Sequence, residues 1–273
     1  MAEAPLMQAM VAVLDGHATE DDRGHRIVAH RGGAALGPEN TLPAFQASAQ
    51  LGIVEVETDV RLSRDGFAVL FHHARLDRTT NGRGPVADHY LSELKALDAG
   101  SWWQPAEGSD IAADHVADIR PLSLKELFGT FGESFVYHLD LKAKGYDVAE
   151  TAMEEVLRAG LAKRTFVTGY HLGQLLSARA LAPGVRVGWT ISEGAGTANP
   201  EHLVAAAGKG IDEVAVRWYE MTPSLAQAAA ENGVAIRAFG FVKPDDTRRA
   251  LELGATALTL DDPRPEWLSS ASN

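Results

Sequence analysis

Between residues 135 and 260 the chain alternates without a break between short apolar runs and longer stretches of helical periodicity. The spacing predicts strands over 135–142, 165–168, 186–191, 213–216, 234–239 and 257–260. Helices are predicted between them over 148–159, 172–181, 201–207, 224–231 and 245–253. Such alternation builds parallel sheet, because each helix carries the chain back to start the next strand in the same direction. The first half adds strands over 26–29, 54–62 and 67–72. It also adds a helix over 42–51, with Thr41 as its expected N-cap and Gly52 as its terminating glycine. A further helix opens at Ser123, where Glu126 three residues on completes a capping box. Nine strands result. The one over 67–72 follows the turn Ser63-Arg64-Asp65-Gly66, and so short a link cannot make a parallel crossover, so that strand is antiparallel. Eight parallel strands with intervening helices predict a (β/α)8 TIM barrel with an added β-hairpin strand. A doubly wound open sheet is the competing fold, and no glycine-rich dinucleotide fingerprint supports it.

Of the 273 residues, 45% are hydrophobic, ample for a buried core, and the net charge of −12 excludes a nucleic-acid partner, which needs a basic face. That charge also means that any phosphate site must reverse the surrounding field locally. There is no cysteine, which excludes disulfides and thiolate metal sites. The apolar run over 6–14 is too short to span a membrane and has no basic residue before it. A cytoplasmic protein without a transmembrane segment is expected. Residues 1–25 read as an N-terminal extension, a loosely attached helix plus the acidic linker Thr19-Glu20-Asp21-Asp22. Residues 26–273 read as one catalytic domain, with an insertion at about 74–120 that contains a short helix near 92–97 and the pair Trp102-Trp103. Those tryptophans either cover a pocket mouth or form a satellite hydrophobic cluster. The oligomeric state is left open, a homodimer included.

In a barrel, chemistry sits at the C-terminal ends of the strands. The first strand ends in His30-Arg31, a proton carrier beside a fixed cation. Glu57 and Asp59 share one face of the second strand, because side chains alternate with period two. Two buried carboxylates on one face repel each other, and a cation between them is the simple remedy. Magnesium and calcium prefer such oxygen ligands. A cation, an arginine and a histidine at one rim point to an anionic small molecule, a phosphate ester. The hairpin brings His72 to the same place. If Asp65-Gly66 form the loop, His72 faces Asp59; if Arg64-Asp65 form it, His72 faces Glu57. His73 then points to the other face. Asp140 and Lys142 end the fourth strand, with His138 two residues deeper as a packing residue. Glu39 and Asn40 are expected to brace the site, Asn40 by satisfying loop backbone.

These residues resemble the glycerophosphodiester phosphodiesterase family. The matches are His30-Arg31-Gly32, Pro38-Glu39-Asn40-Thr41 with Ala44-Phe45, Glu57-x-Asp59-Val60, Asp65-Gly66 and Val69-x-x-His72. They continue through Arg78-Thr79-Thr80-x-Gly82, Pro121-x-x-Leu124-x-Glu126, Asp140-x-Lys142 and Thr259-x-Asp261-x-Pro263, in the family's order over residues 27–263. The resemblance implies a barrel enzyme that cleaves glycerophosphodiesters to glycerol 3-phosphate and an alcohol with one divalent cation, Mg2+ or Ca2+. It implies His30 and His72 as the acid–base pair and Arg31 and Lys142 on the phosphoryl oxygens. It implies Glu57, Asp59 and Asp140 as metal ligands. Four places depart from the family pattern. His72-His73 stands for His-Asp, and Asp140-x-Lys142 for Glu-x-Lys. Gly169-Tyr170 stands for Ser-Phe, and Phe239-Gly240-Phe241-Val242 for Trp-Thr-Val-Asn. The first two touch the metal's surroundings. Tyr170 and Phe239 are expected to line the pocket and to alter the alcohol accepted. Asp-x-Lys is also similar to the sphingomyelinase D group, so action on lysolipids is one alternative, and a non-catalytic barrel that binds phosphate esters is the other.

Overall fold

The computed structural model describes residues 25–104, 116–143, 145–191 and 197–267. The expected N-terminal helix and acidic linker, and most of the acidic loop after Trp103, lie outside these residues. In chain order the elements are β1 (Arg26–Ala29), α1 (Leu42–Gln50), β2 (Glu55–Leu62), β3 (Ala68–Leu70), α2 (Leu91–Leu94), α3 (Leu124–Phe131) and β4 (Val136–Leu141). They continue with α4 (Asp147–Arg158), β5 (Thr165–Gly169), α5 (Leu172–Leu181), β6 (Arg186–Thr190), α6 (Pro200–Gly208) and β7 (Glu213–Arg217). The last are α7 (Pro223–Asn232), β8 (Ala235–Phe239), α8 (Pro244–Glu252) and β9 (Ala257–Leu260). Eight strands run parallel in the order β1-β9-β8-β7-β6-β5-β4-β2, and β1 pairs with β2 to close the barrel. The chain therefore forms the (β/α)8 barrel, with β3 joined antiparallel to β2 on the outside.

Period-two alternation splits each barrel strand into two kinds of face. The outward residues, such as Val56, Tyr137, Leu139, Val167, Val214 and Ile236, pack with Phe45, Leu127, Met153, Leu175 and Leu225 from the helices. This apolar layer between barrel and helices is the main core, where each fully buried large side chain contributes about 1.5–3 kcal/mol. The lumen differs from the usual filling of branched aliphatics. Arg26 of β1 reaches Glu213 of β7 at 3.0 Å; these strands are not neighbours, so the bond crosses the lumen. Arg26 also grips Glu55 (2.9 and 3.1 Å), and Arg237 donates to Glu213 (2.7 Å) and to Thr259 (2.7 Å). His138, as expected, is packed rather than presented: Nε2 lies 2.8 Å from Glu55 Oε2 and its ring stacks on Phe166 at 4.4 Å. Paired charges fill the lower barrel because buried ions are tolerated only with partners.

The ends of the elements follow local chemistry. Ser123 caps α3 as expected: its Oγ accepts from the Glu126 N–H (3.2 Å), and Glu126 Oε2 accepts from the Ser123 N–H (2.9 Å). Thr41 holds the N-cap position of α1 but does not cap it. Its hydroxyl donates instead to the Pro38 carbonyl (2.6 Å) and closes the preceding turn. The hairpin corrects both expected registers. Val60 pairs with Leu70, Arg61 with Val69 and Leu62 with Ala68, so the loop is Arg64-Asp65-Gly66, closed by Ser63 N–H to Phe67 O (2.9 Å). Gly66 at φ +80° takes the left-handed position that such a three-residue loop requires, which shifts the register by one. On that register His72 would face Thr58, but β3 ends at Leu70 and the chain turns away. Residues beyond β3 pack on it through a second cluster of Val69, Phe71, Leu76, Val86 and Leu94. Trp103 is buried with Nε1 donating to Ala34 O (3.3 Å), and Trp102 donates to Ala99 O (2.8 Å) under the Arg78 guanidinium. Among the described residues no helix is long and apolar enough to cross a membrane.

Candidate active site

The C-terminal ends of the parallel strands open into a cleft of about 590 Å³. Its wall includes His30, Arg31, Glu57, His72, Asp140, Lys142, Tyr170 and Phe239, so most residues singled out in the sequence meet there. Glu39, Asn40 and Asp59 sit directly behind, buried.

The β1 end bends at once into a single turn, with Arg31 in the left-handed region (φ 52°). That conformation aims the Arg31 N–H at Glu57 Oε2 (2.9 Å). Its guanidinium donates to Glu39 Oε2 (2.8 Å) and lies 3.6 Å from Asp59 Oδ2. Glu39 is held on its other side by Arg78. Asn40, also left-handed (φ 58°), donates from Nδ2 to Asp59 Oδ2 (2.8 Å) and accepts from the Thr58 hydroxyl (2.7 Å). The bracing expected of Glu39 and Asn40 thus reaches side chains: Glu39 fixes Arg31 and Asn40 fixes Asp59.

Glu57, Asp59 and Asp140 each offer an oxygen such that all three lie within 4.8 Å of one another. Asp59 and Asp140 face each other in the β2–β4 register. Asp59 Oδ1 and Asp140 Oδ1 are buried and accept no hydrogen bond, although Lys142 Nζ stands 3.3 Å from the former. Lys142 donates to Asp140 Oδ2 (2.7 Å). Burial and the neighbouring Asp59 push the Glu57 carboxyl up to about 7. Burial would raise Asp59 as well, yet Lys142 and Arg31 hold it well below the carboxylate range. Three clustered acids with unsatisfied oxygens are a donor set that fits a hard divalent cation.

The two imidazoles differ. His30 Nδ1 lies 2.5 Å from Asp261 Oδ1, leaving Nε2 turned toward Glu57 (3.9 Å). Burial would lower its pKa, but the Asp261 hydrogen bond and the Glu57 charge outweigh that and raise it. His72 is depressed to about 3, by burial first and by the Arg31 and Lys142 cations, against the opposing pull of Asp59. Its Nδ1 is buried without a hydrogen-bond partner, and the His73 ring meets it edge-on at 4.8 Å.

Three contributors were not singled out in the sequence. Arg61 continues the Glu57–Asp59 face and clamps the carbonyls of His72 (2.7 Å), Phe71 (3.1 Å) and Lys142 (2.9 Å). The alternation that marked the acids extends to it. Asp261, matched only as part of the closing strand, is the His30 partner. Arg78, inside a matched motif, holds Glu39. Tyr170 and Phe239 line the cleft as expected, Tyr170 with its ring 5.7 Å from Lys142 Nζ.

Fold and site place the chain among (β/α)8 barrels that carry an acid-and-histidine cleft at the C-terminal rim. A model of the glycerophosphoryl diester phosphodiesterase family matches residues 30–264, and the chain belongs to that family. A glycerophosphodiester phosphodiesterase of Caldanaerobacter subterraneus subsp. tengcongensis is 28% identical over 242 residues, which are 87% of this chain and 94% of that one. One from Bacillus subtilis is 35% identical over 144 residues, 53% of this chain and 47% of that one. The structure of an Oleispira antarctica phosphodiesterase in complex with the product sn-glycerol-3-phosphate superposes with a TM-score of 0.75 at 25% identity, covering 87% of this chain and 93% of that chain. A glycerophosphodiester phosphodiesterase from Agrobacterium tumefaciens gives 0.74 at 25% identity, covering 90% and 100%.

Proposed function

We propose that this chain is a metal-dependent glycerophosphodiester phosphodiesterase that releases glycerol 3-phosphate and an alcohol by acid–base chemistry of His30 and His72. One observation carries the reading: Glu57, Asp59 and Asp140 bring an oxygen each within 4.8 Å of one another, at the wall of the cleft that His30 and His72 also line. Glu57, Asp59 and Asp140 would hold magnesium or calcium. Bound there, such a cation supplies Lewis-acid stabilisation of charge on the phosphoryl oxygens. Arg31 and Lys142, both fixed by carboxylates, bind those oxygens from the protein side and are already oriented when the substrate arrives. His72, neutral at pH 7, accepts the proton of the nucleophile. His30, favoured in its protonated form, gives a proton to the departing alkoxide from Nε2 while Asp261 holds Nδ1. The nucleophile is either water or the substrate's own glycerol hydroxyl, and detection of a cyclic phosphate would identify the latter.

The test is turnover of glycerophosphocholine, glycerophosphoethanolamine and lysophospholipids. His30→Ala and His72→Ala should each lose at least about 10²-fold in turnover with circular dichroism unchanged. A loss under about threefold for both would remove them from the chemistry. Excess EDTA should abolish activity and added Mg2+ or Ca2+ restore it, whereas full activity in EDTA would defeat the metal assignment. Saturable binding without any product would make the chain a binding barrel.

A further inference from the structure

The two imidazoles of the cleft are held in different ways. His30 is fixed through its ring, by Asp261 at Nδ1. The His72 ring lacks such a hold, because its Nδ1 is buried without a hydrogen bond. Its main chain has also left the sheet. The pairing of β3 with β2 ends at Leu70, and Phe71 N–H to Asp59 O (3.0 Å) is the bond that follows. A side chain from the middle strand takes over there. β2 lies between β4 and β3, and Arg61 follows Glu57 and Asp59 on one β2 face but stands outside the cleft lining. On the β3 side Nε donates to the carbonyls of Phe71 and His72 (both 3.1 Å), and Nη2 donates to His72 O (2.7 Å). On the β4 side Nη1 donates to Lys142 O (2.9 Å). The Lys142 end is secured independently: its N–H bonds Val60 O (3.1 Å) and its Nζ bonds Asp140 (2.7 Å). The barrel end is therefore the anchor, and the segment carrying His72 is what the guanidinium holds.

We infer that Arg61 is a positioning residue that fastens His72 to the end of β4, and that it acts on turnover through His72. The inference rests on the proposed reading of His72 as the base. A catalytic group displaced by about 1 Å can cost about 10²-fold, so a base on a segment beyond its strand depends on whatever fixes that segment. A planar guanidinium donates from both sides at once and can bridge carbonyls of two strands. A lysine ammonium places the same charge on one atom and cannot reproduce the span.

The test combines steady-state kinetics on a glycerophosphodiester, at saturating Mg2+ or Ca2+, with amide hydrogen exchange. Arg61→Met keeps the apolar stem and removes the donors. Its kcat should fall about 10- to 100-fold. KM should move by less than about threefold, because Arg31 and Lys142 keep their own carboxylates. Arg61→Lys should stay within about threefold of Arg61→Met. In a His72→Ala background Arg61→Met should change kcat by less than about twofold, whereas a merely structural role lowers it alike in both backgrounds. Exchange of the Phe71 amide should quicken in Arg61→Met at least about tenfold more than that of Val167 in β5. A kcat within about twofold of wild type, full recovery by lysine, or an equal loss in the His72→Ala background overturns the inference. If the wild-type chain cleaves no diester, the hydrolytic reading has failed separately. The Phe71 amide then decides whether Arg61 fastens this segment, and unchanged exchange overturns that too.

Discussion

Asp261→Asn isolates what the carboxylate behind His30 does. The substitution keeps the shape of the side chain and removes its charge. In the native site Nδ1 of His30 lies 2.5 Å from Asp261 Oδ1, and Nε2 lies 3.9 Å from Glu57 Oε2. A carboxylate only accepts, so Nδ1 must donate and Nε2 is the nitrogen left to face the cleft. An amide offers an acceptor or a donor at the same position, so the tautomer is no longer fixed and the protonated ring loses its counter-charge. Replacing a buried carboxylate behind a catalytic imidazole in this way costs about 10⁴-fold in another enzyme class. Here the Asp261 side chain is 60% exposed, so solvent screens much of its charge and the loss should be smaller. The expected fall in kcat is about 10- to 100-fold, bounded above by the 10²–10⁴-fold worth of acid–base assistance itself. KM should move by less than about threefold, because the residues placed on the phosphoryl oxygens, Arg31 and Lys142, are untouched. Asp261→Glu, which restores the acceptor at a longer reach, should recover part of the loss. The assay is steady-state turnover of a glycerophosphodiester by both variants, alone and in a His30→Ala background. If Asp261 works through His30, its substitution adds nothing once His30 is gone. A kcat within about twofold of wild type, or an equal additional loss in the His30→Ala background, would refute the reasoning.

Other expectations concern the fold beneath the site. Glu213→Ala should lower stability by about 3–5 kcal/mol, read from the urea midpoint, because it leaves the buried Arg237 without its carboxylate and takes from the half-buried Arg26 one of its two carboxylate partners; a change below about 1 kcal/mol would show that the lumen network is dispensable. The same network predicts acid sensitivity. Burial alone would raise Glu55, but His138 and Arg26 hold it down to about 2, and Arg237 and Arg26 likewise lower Glu213. An unfolded glutamate takes its proton near pH ~4.3, so this stabilisation is present above that pH and is lost as pH falls toward 2. Thermal melting temperatures that stay flat from pH 5 to about 2 would contradict it. Gly32→Ala should cost about 1–3 kcal/mol and reduce turnover. At φ +80° a Cβ there would lie 3.0 Å from three atoms of the buried Phe45 ring, in the turn that carries His30 and Arg31. Native-like stability with full turnover in this variant would show that the turn adapts freely.

Where structure depends on neighbours along the chain, the sequence was legible. The strands Arg26–Ala29 and Ala257–Leu260 and the helix Leu172–Leu181 are legible to the residue, and most other boundaries to within one or two. Local periodicity and capping specify them. The count of eight parallel strands followed, and with it the barrel. Glu57 and Asp59 were legible as a pair because a strand's two-residue period is a local property. The hairpin register was not. Gly66 admits a three-residue loop as readily as the two-residue loops, and the choice depends on what the strands pack against.

What tertiary structure decided is which distant charges meet. Arg26 and Glu213, 187 residues apart, each read as a polar residue on a strand; only closure of the barrel makes them a bond across the lumen. His30 and Asp261 are separated by 231 residues, yet β1 and β9 are neighbours, so the chain's two ends build one dyad. Arg61 and Arg78 are surface-like letters until the barrel turns one onto the His72 and Lys142 carbonyls and the other onto Glu39. A sequence carries local backbone preference because that preference acts between adjacent residues. The electrostatic environment of a site depends on through-space distance and on water exclusion, and both exist only once the strands have closed.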